Sequence, residues 1–471
     1  MGRGGCDVSW TRTAQCWRAL GARMQLADGS CVGVIGGGPA GTLTSYFLLE
    51  TAERVGLALD VDIYEPRDFS RPGPAGCNMC GGIVSESLVQ LLATEGINLP
   101  PSVVQRGIDS YVLHTDQRQI RMATPVEEMR IAALHRGSGP KGCPPGEIES
   151  FDGFLLDLAR EKGANVHACR VNEVAWDNGR PVIRADGMSD KRYDMIVGAV
   201  GVNSTGLKLF EGLGSGLRKP HTAKTLICEI CLGREQVQEY LGNAMHVFLM
   251  DLPGLEFAAL IPKGDYVTVC MLGVGIDQSL AERFMNSPDV RSCLPIDWDA
   301  RKSECRCLPR INVTGARPCF ADRVVLVGDC GVSRLYKDGI GAAYRTAKAC
   351  AVTAIFRGVS RDNFRAHYWK TCRRLEWDNR LGKVLFLMSV FFRKLRFLRR
   401  AMLRMIENEQ HAAPKHRAMS TVMWNTFTGS APYRDIVLRS LMPDFVIPFS
   451  MECVRALLGV GNGGPTSRSA H

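Results

Sequence analysis

Apolar and polar positions follow two different rhythms along the chain, and the switches between them mark its organisation. Val32, Val34 and Ile35 close an apolar run that reads as a buried strand. Glycines 36, 38 and 41 follow, and then Ala40, Leu43, Tyr46, Phe47 and Leu49 lie on an apolar helix. Residues 59–65 alternate as a second strand that ends on Glu65. A helix is predicted over 85–95 and an amphipathic one over 151–162, with Phe151, Phe154, Leu155, Leu158 and Ala159 on one face. Short strands are predicted within 108–134, over 165–174 and over 191–199. From 226 to 275 the pattern turns to strands, with a turn at 262–265 between two of them. Residues 323–327 make another buried strand, and a helix opens at Gly339 and runs to Phe356. From about Asp362 onward the chain is helical and basic, while the Gly/Pro-rich stretches 71–82 and 136–146 exclude regular structure.

This order predicts an α/β protein. A Rossmann-like dinucleotide-binding domain takes 30–215 and 305–360. A sheet-based substrate domain is inserted over 216–304, with strands near 108–134 contributing, and a helical basic region covers 361–471. Residues 1–29 read as a loose extension, with Met24 as an alternative start.

The chemistry sits first in Gly36-x-Gly38-x-x-Gly41. Between a strand and a helix, these glycines allow a tight turn, close approach of backbone to a pyrophosphate, and close helix–strand packing. The helix N-terminus offers N–H groups and partial positive charge to the phosphates. Glu65, 24 residues beyond Gly41, is placed to take ribose hydroxyls and would repel a 2′-phosphate, so FAD or NAD is expected rather than NADP. Gly212-x-Gly214-x-Gly216 lacks a flanking strand, which leaves one permanent dinucleotide site.

Composition narrows the remaining classes. At 471 residues, 45% hydrophobic and 23% charged, the chain is an ordinary globular one of two or three domains. No apolar run reaches the roughly 18–20 residues of a membrane span, and the first thirty residues lack a signal-peptide core. Eighteen scattered cysteines are expected to be reduced thiols. Cys228 and Cys231 fall on opposite faces of a strand and make a poor chelate, and no metal ligands are assigned. The net charge of +10 is concentrated between 381 and 406, where no acid occurs. There Val384, Met388, Phe391, Leu395, Leu398, Met402 and Met405 recur at spacings of 4, 3, 4, 3, 4, 3, with Arg393, Arg400 and Arg404 opposite and Arg399 near the apolar edge. Such a helix suits either an anionic membrane surface or a core with a solvated basic face. No nucleic-acid module accompanies the charge, so no nucleic acid is expected. The expected location is the cytoplasm, with peripheral contact at the inner face of the membrane through 384–406.

With these blocks in order, the chain resembles the geranylgeranyl reductase family of FAD-dependent oxidoreductases, within the p-hydroxybenzoate hydroxylase-like group. The matching residues are Gly36-x-Gly38-Pro39-Ala40-Gly41, Glu65, Cys80-Gly81-Gly82, Phe151-Asp152, Gly201-x-Asn203-Ser204, residues 257–265, Gly328-Asp329 and Gly339-Ile340-Gly341. They span about residues 30–355 and turn the dinucleotide domain into an FAD-binding domain. The resemblance implies that Ala40 and Glu65 contact the ADP half of FAD. It places Cys80 and Gly81 beside the isoalloxazine, Asn172 on the adenine side, and Asp329 at the ribityl or pyrophosphate region. Gly341 and Ala342 would offer helix N-terminal N–H groups to the flavin pyrimidine edge. The implied reaction is reduction of a carbon–carbon double bond in a hydrophobic, isoprenoid-type lipid, with NADPH or ferredoxin as electron donor and Cys80 as a candidate catalytic residue.

The chain departs from the family at several positions. Val200 stands where Asp is usual before Gly201, Ile148 where Arg is usual, and Phe257-Ala258-Ala259-Leu260-Ile261-Pro262 replaces a more aromatic substrate strand. Lys337 and Asp338 replace smaller residues before the last glycine pair. A flavin monooxygenase or halogenase on the same fold is one alternative. A membrane-associated flavoprotein redox sensor using Cys77 and Cys80 is another.

Overall fold

The computed structural model describes residues 24–125, 130–213, 216–299, 305–413 and 416–459. The expectations for residues 1–23 and for the middle of the 212–216 glycine stretch lie outside the described residues. The architecture is α/β with several sheets and a helical C-terminal region. The chain divides into two compact units, each assembled from three segments. One takes the chain up to Phe69, Phe151–Thr222 and Asn312–Glu376; the other takes Ser70–Ser150, Ala223–Ile311 and the described chain from Trp377 onward. In this division 70–150 fall in the second unit together with 223–311, and the helical tail joins that unit from Trp377.

The first unit is built on a six-stranded sheet. Strand β1 (Ser30–Ile35) lies between β2 (Leu59–Tyr64) and Met195–Gly198, parallel to both. Val324–Leu326 and Asn165–His167 extend the parallel order outward, and Phe320–Ala321 closes one edge antiparallel. Val32, Val34 and Ile35 are all buried, which explains why β1 reads as a continuous apolar run. Helix α1 (Pro39–Arg54) follows β1 and packs on α2 (Gly339–Phe356), with the rings of Phe47 and Tyr344 5.5 Å apart. A three-stranded meander covers the sheet where Gly33 leaves space: a Cβ there would lie 2.7 Å from Ile183 Cδ1.

The second unit is built on a larger sheet. Its central strands are β3 (Ser110–His114), β4 (Thr222–Cys231), β5 (Ala244–Phe248), β6 (Leu255–Lys263) and β7 (Tyr266–Gly273). The order runs β4-β7-β6-β5-β3, and β5 pairs with β3 in parallel across a long sequence gap. Period-two alternation sorts the faces. Leu226, Cys228, Ile230, Ala258, Leu260, Val267, Val269 and Met271 face one way and form a core with the helix Gln278–Met285. Ile227, Glu229, Phe257, Ala259, Ile261, Lys263, Thr268 and Cys270 face the other way. Ile131–Leu134 pairs instead with Ile83–Val84 and Val104–Ile108 in a separate small sheet.

The tail corrects one expectation. The apolar stripe predicted to run unbroken from 384 to 405 is divided between α3 (Trp369–Lys394) and α4 (Arg396–Gln410), because Leu395 leaves the helical conformation at φ −95°, ψ 106°. Val384, Met388 and Phe391 are exposed, whereas Met402 and Met405 are buried. No described helix is long and apolar enough to cross a membrane.

Candidate functional site

The turn after β1 is shaped by steric exclusion. Gly36 sits at φ +109°, and a Cβ there would lie 2.5 Å from the Ala199 carbonyl oxygen. A Cβ on Gly41 would lie 1.8 Å from the Gly36 carbonyl oxygen, so the turn closes only without a side chain at either position. Gly38 is the N-cap of α1; no described side chain caps it, and the first turn holds no acid. The positive end of α1 therefore stays available to an anion. Glu65 directly follows β2, with Oε2 accepting from the Gly37 N–H at 2.8 Å and Oε1 from the Arg67 N–H at 2.9 Å. Burial pushes its carboxyl above the usual range, and the two N–H donors offset only part of that.

A distant segment comes to the same turn. Gly328, at φ +65°, lies so close to Ala40 that a Cβ on it would be 2.6 Å from the Ala40 Cβ. Its N–H donates to Thr346 Oγ1 on α2 at 3.0 Å. The Asp329 carbonyl accepts from Asn312 Nδ2 at 2.7 Å, and its carboxylate lies 3.5 Å from the Cβ position of Gly339. Gly36, Gly38, Ala40, Gly41 and Glu65 thus gather with Gly328, Asp329 and Gly339 in one cluster. Asn172 is exposed on the meander, and its amide donates to Asp186 Oδ1 at 2.5 Å.

The start of α2 differs from the expectation. Asp338, in the left-handed region at φ 56°, caps this helix itself. The Gly341 N–H donates to Asp338 Oδ1 at 3.1 Å and the Ala342 N–H to the Asp338 carbonyl at 2.9 Å. Both N–H groups expected to face a ligand therefore have partners within the chain. Asp338 Oδ2 in turn accepts from Arg334 Nη1 and Arg345 Nη1, each at 3.0 Å. A carboxylate of the chain itself holds the negative charge that this helix end favours.

Cys80 and Gly81 belong to the second unit, on a loop that lies over the second face of its sheet. The Cβ position of Gly81 is 3.7 Å from Ile261 Cδ1 and 3.9 Å from Cys270 Sγ. A Cβ on Gly82, at φ +66°, would meet the Leu134 carbonyl oxygen at 1.9 Å and Lys263 Nζ at 2.8 Å. Cys77 and Cys80 are both free thiols, and their sulfurs accept from the N–H groups of Met79 and Gly82 at 3.1 and 3.4 Å. Burial, first among several causes, pushes the Cys77 thiol up. Cys228 is buried and Cys231, at the end of the strand, is exposed.

Three residues at this loop carried no sequence assignment as a group. Lys263 is 1% exposed, and its Nζ makes no hydrogen bond among the described residues although Glu229 Oε1 lies 3.8 Å away. Glu229 accepts from Thr268 Oγ1 at 2.8 and 2.9 Å, and burial pushes its carboxyl up against the pull of Lys263. His135 is buried with Nε2 unbonded among the described residues; burial, then Lys263, drives its imidazole well below the usual range. The one available signal was an acid, Glu229, inside an apolar strand. Its partners lie far away in sequence.

No family model matches the chain, and no curated protein matches it. Solved structures do. A geranylgeranyl bacteriochlorophyll reductase-like protein from Thermoplasma acidophilum aligns with a TM-score of 0.60 at 16% identity, over 92% of this chain and 100% of that one. A 2-methyl-3-hydroxypyridine-5-carboxylic acid oxygenase aligns with 0.58 at 16% identity, over 79% and 94%. A flavin-dependent brominase aligns with 0.55 at 13% identity, over 85% and 100%. The chain shares the fold of these proteins.

Proposed function

We propose that the chain is an FAD-dependent oxidoreductase of geranylgeranyl reductase type, which reduces carbon–carbon double bonds in a hydrophobic, isoprenoid-type lipid. NADPH or ferredoxin is the proposed electron donor. The residues of the first unit fit the dinucleotide half of FAD: a turn that only glycine can form, an uncapped helix N-terminus, and a carboxylate for ribose hydroxyls. When bound and reduced by that donor, the flavin would supply the hydride. The observation that carries the substrate class is the second face of the large sheet. Ile227, Phe257, Ala259, Ile261 and Cys270 make an apolar wall, interrupted near the 80–82 loop by Lys263, Glu229 and Thr268.

Such a wall orients an apolar chain and excludes water, and the buried pair supplies polarity at one point. Glu229, whose burial favours its neutral form, holds the proton that an alkene needs at its second carbon. Lys263 Nζ, 3.8 Å away, compensates the carboxylate that remains once the proton is given up. In this reading Cys80 packs beside the site rather than donating the proton, so Cys80→Ser keeps activity and Glu229→Gln loses it by about a hundredfold or more.

Lipid access follows from the tail. Val384, Leu387, Met388 and Phe391 on α3 are exposed, as are Ile447, Met451 and Val454 on α5 (Pro443–Leu457). The Phe392 and Phe449 rings, 5.7 Å apart, join the two helices. With Lys383, Arg396 and Arg400 nearby in sequence, this stripe suits the surface of an anionic bilayer.

The test is to record the flavin spectrum of the purified protein, reduce it without oxygen, and add a polyprenyl alkene. Flavin reoxidation matched by a product two hydrogens heavier, seen by mass spectrometry, supports the proposal. An oxygenated or halogenated product formed only with oxygen present replaces it with the monooxygenase or halogenase reading. A colourless protein that fails to take up FAD overturns both.

A further inference from the structure

A second cluster in the substrate-side unit lies apart from the 80–82 loop. His114 on β3 and His246 on β5 are brought together by the parallel pairing of those strands, and Cys293 follows the short helix Pro288–Arg291. All three side chains are buried. Their donor atoms form a triangle. His114 Nε2 lies 2.9 Å from His246 Nδ1, Cys293 Sγ lies 3.2 Å from His246 Nδ1, and Cys293 Sγ lies 3.7 Å from His114 Nε2. Two imidazoles and a thiol converging on one point are the donor set of borderline-soft ions.

We propose that His114, His246 and Cys293 bind a zinc-class divalent ion. A tetrahedron with Zn–N and Zn–S bonds of about 2.0–2.1 and 2.3 Å has N···N and N···S edges of about 3.3 and 3.6 Å. The observed triangle matches those edges with shifts of about half an ångström or less. Phe248 shields the cluster on one side, stacking on the His114 ring with centroids 4.4 Å apart. On another side His246 and Cys293 line a cavity of about 500 Å³, together with Asp109, Arg121 and Ser292. The cavity gives the ion an entry path and a water for the fourth position; Asp109 and Arg121, 3.8 Å apart, line it as an ion pair.

Binding forms two Zn–N bonds and one Zn–S bond and releases the Cys293 thiol proton to solvent. It requires lone pairs on His114 Nε2 and His246 Nδ1, which both rings can present by tautomer choice. The ion would clip two strands of the sheet to the segment after the Pro288–Arg291 helix. Its role is structural and independent of the redox reading.

The experiment is elemental analysis of the full-length protein as purified, followed by chelation and titration with Co²⁺. The expected result is about one zinc per chain, and a Co²⁺ adduct with a thiolate charge-transfer band and tetrahedral d–d absorption. Cys293→Ser should lose that band while its flavin absorbance stays unchanged. Should Cys293→Ser fold poorly, His114→Gln gives the same loss of zinc content. Less than a tenth of an equivalent of zinc in well-folded protein, together with no Co²⁺ thiolate band, overturns the proposal. So does a band that survives in Cys293→Ser, since another of the thiols then holds the ion.

Discussion

Gly41 leaves no room for a methyl group: its Cβ would sit 1.8 Å from a carbonyl oxygen of the same turn. Gly41→Ala is therefore expected to open the turn and, under the proposed function, to weaken FAD retention at least tenfold, read as flavin absorbance per chain after gel filtration. Asp338 poses a different question, because it caps α2 from a left-handed backbone and anchors two arginines. Asp338→Ala removes the carboxylate from the buried Arg334 and the partly exposed Arg345 and should cost roughly 3 kcal/mol. Asp338→Asn keeps the cap and tolerates the backbone angle, so it should cost clearly less. Equal losses of urea stability in the two variants would show that the carboxylate charge, not the cap, is what matters. His135 adds a pH dependence. The folded state holds it neutral beside Lys263 and Tyr266, while the unfolded chain binds a proton from about pH 6.5 downward. Stability therefore falls as the pH drops below about 6.5, by up to about 1.4 kcal/mol per pH unit. In His135→Phe that part of the slope should vanish, and an unchanged slope would assign it to other groups.

At the scale of elements, one buried carboxylate ties the meander to the main sheet. Asp62 on β2 accepts from Lys191 Nζ at 2.6 Å, Tyr193 Oη at 2.7 Å and His167 Nε2 at 2.9 Å. Burial alone would raise its carboxyl, but the hydrogen bonds from Lys191, His167 and Tyr193 win and hold it below the usual range. Asp62→Ala should cost about 3 kcal/mol and lower the melting temperature, because His167 and Tyr193 lose this acceptor at once and Lys191 keeps only Asp60. The alternation along 59–65 placed β2 and its terminal Glu65 correctly, since strand period and burial are local properties. The tail shows where that logic stops. Residues 384–405 carry a regular apolar spacing, yet the helix breaks at Leu395, and Arg399 turns inward to pair with Asp116 Oδ2 at 2.7 Å. A partner almost three hundred residues upstream leaves no trace in a helical repeat.

At the scale of the whole chain, each unit is assembled from three separated segments, so neither can fold from one stretch of sequence. The exposed apolar stripe on α3 and α5 belongs to the second unit. Leu387→Glu with Phe391→Glu should reduce binding to anionic vesicles at least tenfold in a flotation assay and leave the flavin spectrum unaltered. Binding retained in the double variant would remove the lipid surface from the proposed function.

The glycine turn, Glu65 and the helix opening at Gly339 were determined by sequence alone. Sterics at φ-restricted positions and the period of a strand or helix act over a few residues, so they are written in the local pattern. Tertiary structure alone decided which polar groups meet. It placed Lys263 beside Glu229 and His135, set Asp338 where open N–H groups were expected, and drew His114, His246 and Cys293 onto one point from three distant segments. Those contacts depend on strand order and on burial, which make the cost of an unpaired charge large, and neither quantity is encoded at short range.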